Sequence, residues 1–458
     1  MSRRGAWAAA VVAVLIGALW PNSAAAADEV PAADVPTKTP IKHFVTLMQE
    51  NHSFDNYFGT YEGADGIPAG TCMPIDPDRP KGDCVEPHHI DDQAVADLSH
   101  SVKTARAQFN GGKMDGFIDA IRASSGRVDE NVMGYYDDTD LPYYWNVADN
   151  YTLFDRFFTS SRGGSISNHM FWVAGQAGVD QLDKEVIPEG GFTGVETIFD
   201  RLEEQDISWK FYVQNYDPTI TFRSPVSGDR GSQIVWVPPL TMPRFLDNPK
   251  LARHIVPLEQ YYRDIAQGTL PAVSYIVPSG SSEHPPGSLQ AGETFVRTLI
   301  NSLARSSAWD SSAFIWSYDD WGGWFDHVRP PQVDEFGYGF RAPALLVSPY
   351  AKPGHIEHAT LDFTSMLRFI EDNWDLEPLA DRDREANSIA PAFDFAAGPR
   401  EAVFLDRARN VPADPEPRRA AVYAAYGLVI VAFAVILAGL WIRSRRRGGL
   451  VQAEVLGR

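Results

Sequence analysis

The sequence predicts an α/β fold built on a mostly parallel, helix-covered sheet, and two observations carry that expectation. In the second half of the chain helical patterns alternate with short apolar runs bounded by turn signals, which is how strands and crossover helices read when they form such a sheet. Two of the apolar runs, 41–48 and 313–318, break off abruptly into Glu50-Asn51 and Asp319-Asp320. Ligands in open α/β sheets bind beyond the carboxyl ends of the strands, so these breaks are where chemistry is expected.

At the start, Arg3-Arg4, an apolar stretch over 6–20 and the alanines at 24–27 read as an export signal occupying residues 1–27. Both the twin-arginine and the ordinary route fit it. Residues 28–40, rich in Pro, Ala and Asp, are expected to be an extended lead-in. One domain is then expected over 41–410. Its first strand is the run at 41–48, and residues 70–149 form a loop-rich insertion with short helices only around 91–108 and 116–123. A long irregular insertion near a site is often a lid or a substrate wall. The only two cysteines, Cys72 and Cys84, lie inside it and are expected to close a disulfide in an exported chain.

The later elements follow in alternation. A helix over 193–205 leads to a strand over 208–213, and a helix over 258–266 to a strand over 272–277. A helix over 293–306, with Phe295, Leu299, Ile300 and Leu303 on one face, leads to the strand over 313–318. A strand over 342–348, an amphipathic helix over 363–374 and a tail over 382–413 that packs back on the domain complete it. Residues 411–420 read as a proline-containing linker. The uncharged stretch 421–442 is long enough to span a bilayer, and the arginine-rich tail 443–458 behind it is a positive stop. The formal net charge is -20, and because both ends are basic the middle is more acidic still. That argues against nucleic acid as a partner.

Several residues could carry chemistry. Glu50, Asn51, Asp319 and Asp320 supply oxygen ligands from two strand ends, the donor set a divalent cation takes. Such a carboxylate cluster would repel itself without a cation, although one aspartate could instead cap a turn. In Ser161-Arg162-Gly163-Gly164-Ser165-Ile166-Ser167-Asn168-His169 a Gly-Gly-Ser turn precedes a segment that opens a helix. Ser165 would then sit near N–H donors suited to an anion, as a nucleophile or as an ordinary turn residue. His100, His284 and His327 are the acid and base candidates, with Asp326 placed to orient His327.

Taken together and in order, ENHSFDNYFGTY from Glu50, the Gly-Gly-Lys-Met-Asp-Gly-Phe ending at Phe117, Ser165-x-x-Asn168-His169, Glu283-His284-Pro285-Pro286 and the run from Asp319 to Val328 resemble the bacterial phosphoesterase family, which includes phospholipases C and a related acid phosphatase. The resemblance implies an alkaline-phosphatase-like α/β/α sandwich and phosphoryl transfer to an enzyme hydroxyl, assisted by one divalent metal ion. Glu50, Asn51, Asp319 and Asp320 would be metal ligands, and Asn51, Asn168 and His327 would face the phosphate. Ser165 would be the nucleophile, with His100 and His284 beside the phosphoryl oxygens or the leaving group. Family members often carry proline before the asparagine of the nucleophile motif, where this chain has Ser167, so Ser167 stays open beside the favoured Ser165.

The implied substrate is a phospholipid or another phosphate ester. The leading expectation is a membrane-anchored, extracytoplasmic phospholipase C that acts through a phosphoserine. A phosphomonoesterase is the alternative, and a catalytically silent surface binding protein is the reading from another class. Tyr135, Tyr136, Tyr143, Tyr144 and Trp145 could form an aromatic wall for a choline-like cation or a lipid surface, or could be core packing.

Overall fold

The computed structural model describes residues 31–92, 95–182 and 186–406. The expected export signal, linker, spanning segment and basic tail lie outside those residues. Among the described residues no helix is long and apolar enough to cross a membrane.

One sheet organises the domain. Its strands in chain order are β1 (His43–Gln49), β2 (Thr152–Phe154), β3 (Trp209–Val213), β4 (Ile255–Pro257), β5 (Val273–Val277), β6 (Ser312–Tyr318), β7 (Ala344–Val347) and β8 (His355–Glu357). Across the sheet they run β8-β2-β7-β6-β1-β5-β3-β4. Strands β4, β3, β5, β1 and β6 are parallel, whereas β7 runs antiparallel to both β6 and β2. The expected run over 342–348 is therefore the one reversed strand. The three short strands β2, β4 and β8 carry too few residues to stand out as periodic runs.

Every residue of β1 and β6 is buried, as both-face coverage requires. The covering helices used below are α1 (Phe54–Phe58), α2 (Val102–Phe109), α3 (Phe117–Ser125), α4 (Pro142–Asn150), α5 (Ser165–Ala174), α6 (Ile198–Glu204), α7 (Glu259–Gln267), α8 (Leu289–Ala304) and α9 (Phe363–Trp374). Alternation along β1 assigns α5 and α9 to one face. Phe44 packs on Phe369 at 5.3 Å between ring centroids, Thr46 Oγ1 donates to Met366 Sδ at 3.3 Å, and Trp172 Nε1 donates to Thr46 Oγ1 at 3.0 Å. The opposite face belongs to α4 and α8. Trp316, which is in register with Leu47, meets Tyr144 at 5.5 Å, and Glu293 of α8 accepts from the backbone N–H of Tyr143 at 2.9 Å and of Tyr144 at 3.3 Å. Glu293 thus caps α4 from another helix, where the N-cap residue Leu141 has no side chain able to do so.

The insertion differs from its expected form. It contains a full helix at α4, and Tyr136, Tyr143, Tyr144 and Trp145 are buried in the core and form no open wall. The Cys72–Cys84 disulfide is present. The lead-in is not simply extended either. Ala32–Asp34 forms a 3-10 turn with Ala32 buried, and Thr39 donates to Asn373 of α9. Beyond α9 the tail returns to the domain, with Phe393 stacked on Phe369 at 5.3 Å and Trp309 Nε1 donating to the Arg400 carbonyl at 3.0 Å.

Behind the first strand end lies a fully buried guanidinium. Arg341 donates to Asp55 at 2.9 Å and to Asp326 at 3.0 Å and 3.1 Å, and its Nη1 donates to the carbonyls of Asp65 and Asp155, each at 2.7 Å. It ties α1 to the loop after β6. Removing it would leave two buried carboxylates uncompensated, so Arg341→Met is expected to destabilise the domain by about 3–5 kcal/mol. A urea unfolding midpoint that does not move would contradict that role.

Candidate functional site

The register brings the two polar breaks together. Gln49 pairs with Tyr318, so Glu50 and Asp319 leave adjacent parallel strands side by side. Asn51 takes a left-handed conformation at φ 62°, which turns the chain sharply and points its N–H at Asp319 Oδ1, 3.4 Å away. Asp319 Oδ1 also accepts from the Asp320 N–H at 2.8 Å, and Asp320 Oδ1 accepts from the Gly322 N–H at 2.8 Å. Gly322, at φ 63°, is required here. A Cβ on it would lie 2.1 Å from the Asn51 carbonyl oxygen. A Cβ on Gly323 would likewise meet Ser99 and Leu98 at 2.8 Å, so the glycine pair lets both the Asn51 turn and the His100 loop close on the aspartates.

Glu50, Asn51, Asp319 and Asp320 are all buried. Burial raises the Glu50 pKa well above its ordinary value, the charges of Asp319 and Asp320 push it further, and a hydrogen bond from Trp236 opposes them. Glu50, Asp319 and Asp320 are thus buried acids coupled through their charges at one sheet edge, and carboxylates are the donor type that suits a hard divalent cation.

Two imidazoles face this cluster. Asn51 Nδ2 lies 3.3 Å from His100 Nε2, and His100 Nδ1 donates to the Leu98 carbonyl at 2.8 Å. Burial alone would lower the His100 pKa, yet Asp320 and Asp97 outweigh it and hold it at about 10. His284 stands across from that ring with ring centroids 5.6 Å apart, its Nδ1 donating to the Pro285 carbonyl at 2.8 Å. Asp97, His100 and His284 each bring a ligand atom within 4.8 Å of the others, close enough to hold a cation.

Helix α5 carries the serine. Trp172 anchors it to Thr46 and, through its carbonyl, to the Tyr275 hydroxyl at 3.2 Å. From Trp172 back to Ser165 the helix rises about 10 Å, from Thr46 to Glu50 the strand advances about 13 Å, and the charge of Asp319 acts on His169 in the first turns of α5, so the N-terminal half of the helix lies toward the carboxylates. Ser165 is the first residue of α5 and partly exposed, whereas Ser167 is buried.

Two expected phosphate contacts have other partners. Asn168 Oδ1 accepts from the Ser161 N–H at 3.0 Å and from its hydroxyl at 3.3 Å, so the side chain closes the loop ahead of Ser165. His327 has Nδ1 2.7 Å from Asp55 and Nε2 3.4 Å from Asp65, which places both ring nitrogens in the Arg341 network. Asp326, expected to orient that ring, is held by Arg341 instead.

Two further residues stood in the quoted motifs but were given no role of their own. His169 is buried one helical turn after Ser165, donates from Nδ1 to the Ser165 carbonyl at 2.8 Å, and has no hydrogen-bond partner at Nε2 among the described residues. Burial lowers its pKa against the pull of Asp319. The spacing from Ser165 to His169 could have flagged it. Glu283, at φ 66° and buried, receives hydroxyls from Tyr57 at 2.7 Å, Tyr318 at 2.9 Å and Tyr144, and the amide of Gln49 at 3.1 Å. No local pattern could reveal that cage, because its members come from five separate segments.

The Phosphoesterase family profile matches residues 41–377. Phospholipase C A from Mycobacterium tuberculosis is 30% identical over 424 residues, covering 79% of this chain and 78% of that one. Non-hemolytic phospholipase C from Pseudomonas aeruginosa is 29% identical over 420 residues, covering 78% of this chain and 57% of its own. Among solved structures, a phosphonate monoester hydrolase of Agrobacterium radiobacter aligns with a TM-score of 0.38 at 8% identity, covering 77% of each chain.

Burial raises the Glu283 carboxyl from its ordinary 4.5 to about 8, with the three tyrosine hydroxyls pulling it down and Glu293 pushing it up. A raised folded-state pKa favours the folded state below pH 4.5, and that contribution is lost as pH rises through about 8. Between those values the unfolding free energy of the wild type is expected to decline. Glu283→Gln is expected to flatten that decline, and identical pH profiles for the two proteins would refute the assignment.

Proposed function

The chain belongs to the Phosphoesterase family and is a phosphoric ester hydrolase, and on that premise we propose that it is a divalent-metal-dependent, phospholipase C-like enzyme acting through a phosphoserine on Ser165. One observation supports the reading: Glu50 and Asp319 leave adjacent parallel strands as buried acids, the charge of Asp320 acts on His100, and the charge of Asp319 acts on His169 in the first turns of α5. The family relatives named as phospholipases C support the substrate class.

Glu50, Asn51, Asp319 and Asp320 would hold the ion. When bound, a divalent cation neutralises charge on the phosphoryl group and lowers the pKa of the serine. Ser165, entering as the alkoxide, forms its bond to phosphorus as the ester P–O bond breaks, and the departing oxygen takes a proton from the imidazolium of His100 or His284. A water then returns a proton to that imidazole and attacks phosphorus in line, and Ser165 leaves as the alkoxide again. With a phospholipid the first step releases diacylglycerol and the second the phosphorylated headgroup. Accessibility favours Ser165 over the buried Ser167. The export signal and spanning segment expected from the sequence would set this chemistry outside the cell, beside lipid.

Turnover of phosphatidylcholine is expected to exceed that of p-nitrophenyl phosphate, and faster monoester turnover would instead mark a phosphatase. Ser165→Ala should cut kcat by about a thousandfold while Ser167→Ala has a much smaller effect. Undiminished hydrolysis by Ser165→Ala would overturn the nucleophile assignment.

A further inference from the structure

The tail beyond α9 carries no residue of the proposed reaction centre, yet one of its side chains is bound on both sides of Ser165. Arg382 belongs to the short helix Asp381–Glu385 and its side chain is only 8% exposed. Nη2 donates to the Ser160 carbonyl at 2.6 Å, five residues before Ser165. The same guanidinium lies 4.8 Å from the centroid of the Phe171 ring in α5, six residues after Ser165, and 4.7 Å from that of Tyr338. Two carboxylates answer its charge. Nη1 is paired with Asp334, and Nη2 lies 3.7 Å from the buried Asp362, the N-cap residue of α9. Asp362 in turn accepts from the Ser160 hydroxyl at 2.8 Å. The carbonyl and the hydroxyl of Ser160 are therefore held by the two members of one ion pair.

Arg382 is delivered by the packing of its own segment on α5. The neighbouring Asp383 accepts from the N–H of Leu379 at 2.9 Å and of Ala380 at 2.8 Å, which folds the segment back on itself. That turn lies against Gly175, the left-handed residue that closes α5. A Cβ on Gly175 would stand 3.1 Å from Asp383 Oδ2 and 3.4 Å from Ala380 Cβ. One tail segment thus holds α5 at its C-terminal cap and at Phe171, and holds the loop ahead of α5 at Ser160. Ser165 stands between these holds, partly exposed, with its carbonyl taken by His169. A forked, planar guanidinium can bond Ser160 and an aspartate while lying near an aromatic ring, which an ammonium cannot do.

Resting on the assignment of Ser165 as the nucleophile, we propose that Arg382 is a positioning residue for the reaction: by tying the Ser160 turn to α5 it fixes the line along which the Ser165 oxygen approaches phosphorus. It acts through Ser160 and Phe171. In-line displacement is sensitive to such placement, since a shift of about 1 Å in a reacting group can cost on the order of a hundredfold in rate.

The test compares full-length wild type, Arg382→Lys, Arg382→Ala and Ser165→Ala on whichever of phosphatidylcholine and p-nitrophenyl phosphate the wild type turns over faster. Rates are expressed per folded molecule, with the folded fraction read by near-ultraviolet circular dichroism. Lysine keeps a positive charge beside Asp334 and Asp362 but loses the fork. Arg382→Lys is expected to lower kcat about thirtyfold with KM within about twofold of the wild type. Guanidinium chloride, at concentrations that leave the wild type folded, is expected to restore Arg382→Ala toward the wild-type kcat, and ammonium chloride is not. Should Arg382→Ala fail to fold, Arg382→Lys decides alone. A wild-type kcat per folded molecule in Arg382→Lys, whatever its stability, would overturn the proposal, and an inactive Ser165→Ala beside it would leave the nucleophile assignment standing. A raised KM with kcat unchanged would make Arg382 a matter of substrate binding and overturn the proposal likewise. Turnover by Ser165→Ala at the wild-type rate would overturn the nucleophile assignment and this proposal with it.

Discussion

The active arrangement hangs on one buried carboxyl. Glu283 gathers hydroxyls from α1, α4 and the end of β6 and an amide from the end of β1, and the next residue is His284. Of those segments, β1 leads directly into Glu50 and β6 into Asp319. Gly292 makes the knot possible, because a Cβ there would lie 2.0 Å from Glu283 Oε1, and α8 could not otherwise pack so closely. A buried polar network of this kind rigidifies when every member is satisfied and is costly when one is lost. Its effect on the chemistry is indirect: it holds the sheet edge and the imidazole loop in a single register.

The pleat then sorts the side chains. Gln49 and Tyr318 point to the α4 and α8 face, where Glu283 binds them, so the next residues, Glu50 and Asp319, turn to the face where α5 lies. One strand step therefore separates the structural carboxyl from the chemical ones. The same parity puts Thr46 beneath Trp172 and aligns the serine-bearing end of α5 with the carboxylates. A one-residue slip between β1 and β6 would exchange the two sets, and full burial of both strands makes that slip prohibitive.

Much of this was legible in the chain because the informative signals were local. The runs leading to Glu50 and Asp319 combined burial with an abrupt polar break, and the helices ahead of β3, β5 and β6 had clear periodicity. Other features depended on tertiary contacts and left no local trace. Tyr143 and Tyr144 read equally well as a wall or as core until α4 was seen to pack under Trp316. His327 followed an aspartate closely enough to suggest a catalytic pair, but Asp55 and Asp65, which hold it, come from a distant stretch. Asn168 belonged to a motif that implied phosphate contact, and its hold on the turn at Ser161 left no trace in the sequence.

The proposed role of the sheet edge is to hold a cation at Glu50, Asp319 and Asp320, because buried acids that act on one another are costly without one. Elemental analysis of the purified full-length protein, wild type beside Asp319→Asn, tests this most directly. About one divalent ion per chain is expected in the wild type, with a near-complete loss in Asp319→Asn while circular dichroism shows the fold retained. A wild type that binds no divalent ion after incubation with calcium, magnesium, manganese or zinc, or an Asp319→Asn protein that binds as much as the wild type, would contradict it.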